Sequence, residues 1–287
     1  MTVAFDFSPA AVAELAREDA ARALAEDVGS GDLTASLVDP ARRAQARVLA
    51  RESAVICGGP WAEAALRQVD RSLQVKWLVA EGERCRANQV VLEVVGAARS
   101  LLTAERTALN FLQLLSAVAT ATATYVEAVR GTRAQIVDTR KTLPGLRLAQ
   151  KYAVQAGGGV NHRIGLYDAV LIKENHIAAA GGVTPVLRAA QRVAAQATFV
   201  EIEVETLAQL EEALGAGARM VLLDNMDLPT LRDAVRINAG RAILEISGGV
   251  TLERVRALAE TGVDRISIGA LTKDVKATDF SMRLKDL

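Results

Sequence analysis

The sequence predicts an α/β protein in which a small α+β domain precedes a β/α barrel. Three observations carry this prediction. From Gly131 onward, six short β-branched runs (QIVDT, DAVLI, FVEIEV, RMVLLD, AILEIS and DRISIG) alternate with helical segments. They do so at about 20–30 residues per unit, the rhythm of parallel strands with helices outside. These runs are continuously apolar, as strands covered on both faces are. Before the middle of the chain the pattern is different, with short alternating segments separated by turns. Six units in series favour a closed barrel over an open doubly wound sheet. No Gly-x-Gly-x-x-Gly follows a first strand, so dinucleotide binding is unsupported.

In chain order, residues 9–26 form a helix with Ser8 as N-cap and Pro9 at the first position. The loop EDVGSGDLT follows, where Asp27 and Asp32 suit either a turn or a metal. From Ala44 the segments ARVLARESAVICGG, LQVKWLVAEGERC and QVVLEVVGAARSLL look like strands, with a helix near 60–69. A long helix runs from Thr103 to about Arg130 and stops at Gly131. Its centre, SAVATATAT, is unusually small, so a second helix or a second subunit should pack closely on it. Arg106 sits near its predicted start, where a cation opposes the helix dipole unless it faces an anion. In the barrel, Thr184 caps a helix with Pro185 at its first position.

Composition excludes several functions. The chain balances 34 basic against 34 acidic side chains, which argues against nucleic-acid or membrane-surface binding. Any cationic site must therefore be local. No apolar run approaches the ~20 residues of a membrane span, and the N-terminus lacks a basic and then apolar leader. Cys57 and Cys85 lie far apart in no metal-ligand spacing and suit reduced thiols. A cytoplasmic protein is expected.

The active site of a β/α barrel lies at the C-terminal strand ends. Here those ends deliver Arg140 and Lys141, then Lys173, Glu174 and Asn175, then Glu201, Glu203 and Glu205 along FVEIEV, then Asp224 and Asn225. The last two deliver Ser247, Gly248 and Gly249, and Gly269 and Ala270. The two glycine turns free backbone N–H groups near helix starts, which suits a phosphate. Glu203 and Asp224 end adjacent strands, where paired carboxylates could hold Mg²⁺ or sugar hydroxyls. Both histidines of the chain, His162 and His176, fall between Asp138 and His176 with a concentration of cations. Arg140, Lys141, His162, Arg163 and Lys173 make a wall that suits a planar carboxylate dianion. In Asn-His-Arg after three glycines, His162 is expected in the site and not in the core. A phosphorylated sugar reacting with a small carboxylic acid fits these parts.

The motifs EDVGSGDLT, TAERTALNFLQ, DTRKTLPGLR, GGGVNHR, KENH, VEIEVE, VLLDN, EISGGV and GVDRISIGALT resemble, in order, those of the quinolinate phosphoribosyltransferase family. The resemblance implies a type II phosphoribosyltransferase of de novo NAD biosynthesis. It implies an N-terminal sandwich-like α+β domain (1–115) and an incomplete barrel of fewer than eight strands (116–271). The tail, 272–287, would return to the first domain. Quinolinate would contact Arg140, Lys141, His162 and Arg163, with Thr139 in the same loop and Arg106 supplied by the partner of a homodimer. Phosphoribosyl pyrophosphate would contact Lys173, Glu203, Asp224, Ser247, Gly248, Gly249, Gly269 and Ala270. The resemblance makes Lys141, Lys173, Glu203 and Asp224 catalytic candidates, the last two holding Mg²⁺ directly or through water. Glu203 is chosen over Glu201 and Glu205 by alignment with the motif. A nicotinate-type or molybdenum-transport-associated homologue is the nearest alternative. A barrel aldolase or isomerase using Lys173 as a Schiff-base amine is the alternative from another class.

Overall fold

A computed structural model describes residues 5–287. In chain order it begins α1 (Pro9–Asp27), β1 (Arg43–Ala50), β2 (Ala54–Val55), α2 (Gly59–Val69) and β3 (Gln74–Trp77). It continues β4 (Arg84–Cys85), β5 (Val90–Ala97), α3 (Ala98–Ala128), β6 (Gln135–Val137), α4 (Arg147–Ala156) and β7 (Val170–Ile172). Then come α5 (Glu174–Ala180), α6 (Val183–Ala194), β8 (Val200–Val204), α7 (Leu207–Gly215), β9 (Met220–Asp224) and α8 (Leu228–Asn238). The chain ends β10 (Ile243–Ser247), α9 (Leu252–Ala259), β11 (Arg265–Ser267), α10 (Ala270–Lys273) and β12 (Phe280–Asp286). It divides into two compact units. One holds Asp6–Ala123, Leu143–Gly158 and Asp274–Leu287, and the other holds Thr124–Thr142 and Gly159–Lys273.

The first unit is built on an antiparallel sheet of order β12-β1-β5-β3. Alternation in β1 turns Ala44, Ala46, Val48 and Ala50 inward, as period two requires. The last strand of the chain pairs antiparallel with β1, setting Val48 opposite Met282 and Ala50 opposite Phe280. Asp32 accepts the Ala35 N–H at 2.9 Å and the Thr103 hydroxyl at 3.0 Å, so it serves a turn. Asp27 is exposed at the end of α1. Cys57 and Cys85 are buried free thiols.

Helix α3 begins five residues before the expected Thr103, directly after β5. Side chains hold its first turn. Arg99 donates to the carbonyls of Val38 (2.6 Å) and Ser36 (3.0 Å), and Ser100 donates to Asp70 (2.9 Å). Arg106 therefore lies in the third turn, exposed, and opposes no helix dipole. The small centre of α3 packs on the end of α4, the expected second helix, where Gly157 meets Ala119 and Thr122, and also on backbone. Ser116 Oγ accepts the Cys57 N–H and donates to the Cys57 carbonyl, both at 3.0 Å, and Thr120 Oγ1 accepts the Val55 N–H at 2.8 Å. By length and composition α3 could cross a membrane, contrary to the sequence expectation. Here Leu101, Ala104, Leu112, Leu115 and Ala119 place it in the hydrophobic core.

The second unit is a parallel sheet of six strands in the order β6-β11-β10-β9-β8-β7. Strand β9 is apolar and buried along Met220–Leu223, covered on both faces. The closed barrel expected from six units is not formed. Strands β6 and β7 stand at the two ends of the order, and the sheet is open between them, as the family resemblance implies. The physical reason lies in the connection. Residues 143–158, including α4, belong to the first unit, so little chain is left between β6 and β7. That remainder adds one parallel bridge, Val160 to Val137.

Gly157, in the Gly-Gly-Gly that suggests a site loop, is a packing residue. A Cβ there would lie 2.4 Å from the Ala119 carbonyl oxygen and 2.7 Å from Thr122 Cβ, both on α3. Gly157→Ala should therefore destabilise the protein by about 1–3 kcal/mol, the usual cost of overpacking. Chemical denaturation checks this, and an unchanged midpoint would contradict the packing role.

Candidate active site

The β6–β11 strand ends surround a cavity of about 170 Å³. Thr139, Arg140 and Lys141 enter it from the end of β6, and His162 and Arg163 from the segment after Val160. Lys173, Glu203 and Ser247 enter from the ends of β7, β8 and β10. A larger hollow of about 440 Å³ in the first unit is lined by residues such as Arg22, Thr107 and Leu146. It gathers no comparable cations, so chemistry and not size selects the site.

Local bonds explain how the chain presents the cations. Thr139 Oγ1 accepts the Lys141 N–H at 3.0 Å, and the Lys141 carbonyl accepts the Thr272 hydroxyl at 2.7 Å. Between them, Arg140 keeps its Nε buried with no partner in the structure. Burial first, and then the neighbouring Arg140 charge, pull the Arg163 guanidinium below its usual value. Two guanidiniums whose charges act on each other, one with a buried idle donor, suit an anion. Four consecutive backbone N–H groups around Arg163 go to side chains. Those of His162, Ile164 and Gly165 go to Asp138 (2.9 Å) and Asp168 (2.7 and 2.8 Å). That of Arg163 goes to His162 Nδ1 at 2.8 Å.

The other half of the rim is acidic and glycine-rich. Lys173 Nζ pairs with Glu203 Oε2 at 2.8 Å. Burial, and next the Glu203 charge, push the Asp224 carboxyl up, so Asp224 would gain from a cation. Gly248 has φ +95°, and a Cβ on it would lie 3.6 Å from Asp224 Oδ1. The turn from Ser247 through Gly249, which also has positive φ (+57°), thus lies beside the end of β9. Gly269 is needed for close approach, since a Cβ would come within 2.9 Å of Lys141 Cδ. Ala270 opens α10 behind it.

Some expected residues stand elsewhere. Arg106 belongs to the first unit. His176 is an exposed cap of α5 whose Nδ1 accepts the Lys173 N–H at 2.9 Å. Glu205 is exposed. His162 lines the cavity as expected but is also 8% exposed, hence buried, which corrects the loop reading.

Under the cavity lies a buried acidic floor, in which Glu201 is expected from its strand and Glu245 is not. His162 Nε2 lies 2.8 Å from Glu201 Oε2 and 3.5 Å from Glu245 Oε1. Glu245 Oε2 accepts from Arg265 Nε at 2.9 Å. Oε1 of each glutamate has no hydrogen-bond partner. Burial pushes both carboxyls up to about 7, and the Glu201 charge adds to the effect at Glu245. His162, Glu201 and Glu245 have metal-ligand proximity, but the bonds argue against a metal. Because His162 Nδ1 accepts a backbone N–H, the neutral ring carries its hydrogen on Nε2, leaving no lone pair there for a metal. Arg265 already supplies a cation. A sequence signal existed, because Glu201 and Glu203 share one face by the strand period and Glu245 sits mid-strand in an apolar run.

The chain is similar to known proteins along most of its length. Two family models match, "Quinolinate phosphoribosyl transferase, N-terminal domain" over residues 32–116 and its "C-terminal domain" over residues 118–283. Nicotinate-nucleotide pyrophosphorylase (carboxylating) of Mycobacterium leprae is 45% identical over 278 residues, which cover 94% of this chain and 98% of that protein. The probable nicotinate-nucleotide pyrophosphorylase (carboxylating) of Bacillus subtilis is 39% identical, covering 90% of this chain and 89% of its own length. The solved nicotinate-nucleotide pyrophosphorylase of Francisella tularensis superposes with a TM-score of 0.94 at 41% identity, covering 99% and 100% of the two chains.

The acidic floor makes a pH prediction. Glu201 and Glu245 each titrate near 4.5 when unfolded and near 7 when folded. Between those values the folded protein binds more protons than the unfolded chain, so its stability falls as pH rises through that window. Melting temperatures from about pH 5 to about pH 8 should show this decline, and Glu201→Gln should flatten it. A variant with the wild-type slope would contradict the assignment.

Proposed function

The chain belongs to the quinolinate phosphoribosyltransferase family, and from this premise we propose how its site performs the family's reaction. The protein is a decarboxylating pentosyltransferase of de novo NAD biosynthesis. It transfers the phosphoribosyl group of 5-phosphoribosyl 1-pyrophosphate to quinolinate, giving nicotinate mononucleotide, pyrophosphate and CO₂. Family membership displaces the Schiff-base alternative, and the Lys173–Glu203 pair at 2.8 Å leaves that amine engaged. The observation that supports a dicarboxylate most directly is the Arg140–Arg163 pair with its idle Arg140 Nε. Nicotinate has one carboxylate and would use less of this wall.

In the proposed mechanism Arg140, Arg163 and Lys141 bind the two carboxylates of quinolinate, with Thr139 shaping the loop. The ring nitrogen attacks C1 of the ribosyl group as the bond to pyrophosphate breaks. Glu203 and Asp224 face the positive charge that develops on the sugar. Lys173 faces the negative charge that develops on the leaving group. The turns at Ser247–Gly249 and Gly269–Ala270 offer backbone N–H groups to phosphate. The 2-carboxylate then leaves as CO₂, its electron pair passes to C2 of the pyridinium ring, and C2 takes up a proton. No nucleophilic side chain is needed, so orientation and charge dominate. Asp224 and Glu203 suit Mg²⁺ as a hard cation that keeps waters and takes phosphate oxygens. They would hold it directly or through water, and it supplies charge neutralisation to pyrophosphate when bound.

We further propose a cytoplasmic homodimer in which Arg106 reaches the partner's site. Arg106 is exposed, and large apolar side chains stand in solvent at Leu33 (85%), Leu37 (85%), Leu166 (73%) and Tyr167 (62%). Such residues favour cover by a second copy. The two free thiols suit a reducing compartment.

Incubation with quinolinate, phosphoribosyl pyrophosphate and Mg²⁺ should yield the mononucleotide and CO₂. Product with nicotinate but none with quinolinate would overturn the substrate. Lys141→Ala and Arg163→Ala should each cut quinolinate turnover about tenfold or more, at roughly 1.4 kcal/mol per tenfold, and wild-type rates in both would remove these residues from the site. Mixing inactive Arg106→Ala with inactive Lys141→Ala should restore activity through mixed dimers. Failure to complement, with subunit exchange verified by mass, would refute sharing between subunits.

A further inference from the structure

We propose that Glu201 is a positioning residue for the anion-binding wall, acting through the His162 ring to fix Arg163. The inference rests on the function proposed above and extends it to a side chain below the rim. It begins with the four successive N–H groups of residues 162–165. Three go to the carboxylates of Asp138 and Asp168, which need no particular tautomer to accept. The fourth, that of Arg163, goes to His162 Nδ1 at 2.8 Å. This bond exists only while Nδ1 is unprotonated and the ring keeps its orientation.

Glu201 imposes both conditions. With Nδ1 accepting, the ring hydrogen must sit on Nε2, and Glu201 Oε2 accepts it at 2.8 Å. Glu201 and His162 are both buried, so no bulk water replaces this acceptor. A ring turned by 180° would face carbon toward both the Arg163 N–H and Glu201, stranding two buried polar groups. The Phe199 ring meets the imidazole edge-on, with centroids 5.2 Å apart, and narrows its freedom further. Among the described residues the segment forms no ladder beyond the isolated Val160 bridge to β6, so side-chain acceptors set the positions of its N–H groups.

Both ring nitrogens are thus committed within the protein. The influence of His162 on substrate is therefore transmitted through the backbone of Arg163. The sequence of contacts is Glu201 to His162 to Arg163, and the last member carries the charge that binds a carboxylate.

Two variants and two readouts test this. Glu201→Gln keeps a carbonyl acceptor for Nε2–H, whereas Glu201→Leu removes it. The chain contains two histidines, so ring ¹⁵N correlation spectra can be assigned with Glu201-intact His176→Gln protein. We expect His162 as the Nε2–H tautomer in wild type and Glu201→Gln, and mixed tautomers in Glu201→Leu. The KM for quinolinate should rise about tenfold or more in Glu201→Leu, the effect of one stranded buried donor. It should stay within about threefold in Glu201→Gln, with kcat and the KM for phosphoribosyl pyrophosphate moving far less in either. An Nδ1–H or doubly protonated His162 in wild type at neutral pH would overturn the proposal. So would an equal rise in KM for both variants, or none in Glu201→Leu. Should the leucine variant not fold, the wild-type and glutamine spectra and KM values still decide. Wild type that yields no product from quinolinate would sink the functional reading alone, since the ring spectra need no substrate.

Discussion

The site depends on a buried guanidinium, that of Arg163, which feels the charge of a second one, that of Arg140. Arg140 follows β6 and Arg163 follows the Val160 bridge beside it, and the burial of Arg163 removes water that would screen its charge. Such an arrangement persists only if the surrounding structure over-determines it. Asp138 and Asp168 tie down the backbone on both sides of Arg163, and the charges of Asp168 and Glu201 offset part of the repulsion at its head group. The acids below the cavity are therefore part of the cation site. They balance it without occupying the space where an anion would bind.

The open sheet follows from the same stretch of chain. After β6 the polypeptide delivers Thr139, Arg140 and Lys141, and then leaves for α4 in the first unit. On returning it makes a single bridge at Val160 before presenting His162 and Arg163. A regular strand in this place would commit its N–H groups to a ladder. The irregular segment instead gives them to side chains, which fixes residues 162–165 at spacings a strand would not allow.

Most of the architecture was legible in the sequence because parallel strands and covering helices leave strong periodic signals. The rim was legible for a related reason. Strand ends are found by counting, and Arg140, Lys173, Glu203 and Ser247 all line the cavity. What escaped depended on tertiary packing. The start of α3 is set by Arg99 and Ser100 bonding to distant chain, and no local propensity reports that. Closure failed as a prediction because six periodic units say nothing of where the excursion between the first two goes. The packing role of Gly157 escaped because spacing alone cannot separate a flexible loop from a helix end that must touch its neighbour. The acidic floor was half legible, since FVEIEV offers Glu201, whereas Glu245 lies two residues before the strand end at Ser247 on the same face.

That floor shows why His162 belongs to both the core and the site. A charged imidazolium beside Arg163 would add a further cation to the wall. A neutral ring adds none, yet its two nitrogens can still link an acid below to a backbone N–H above. No other side chain offers one acceptor and one donor on opposite edges of a rigid plane at this size. An amide carries both on a single end, and a hydroxyl has no fixed plane. The histidine thus transmits orientation without transmitting charge, which lets acids and cations lie in successive layers of one barrel interior. Arg265, paired with Glu245 at 2.9 Å, closes the lower layer with a positive charge of its own.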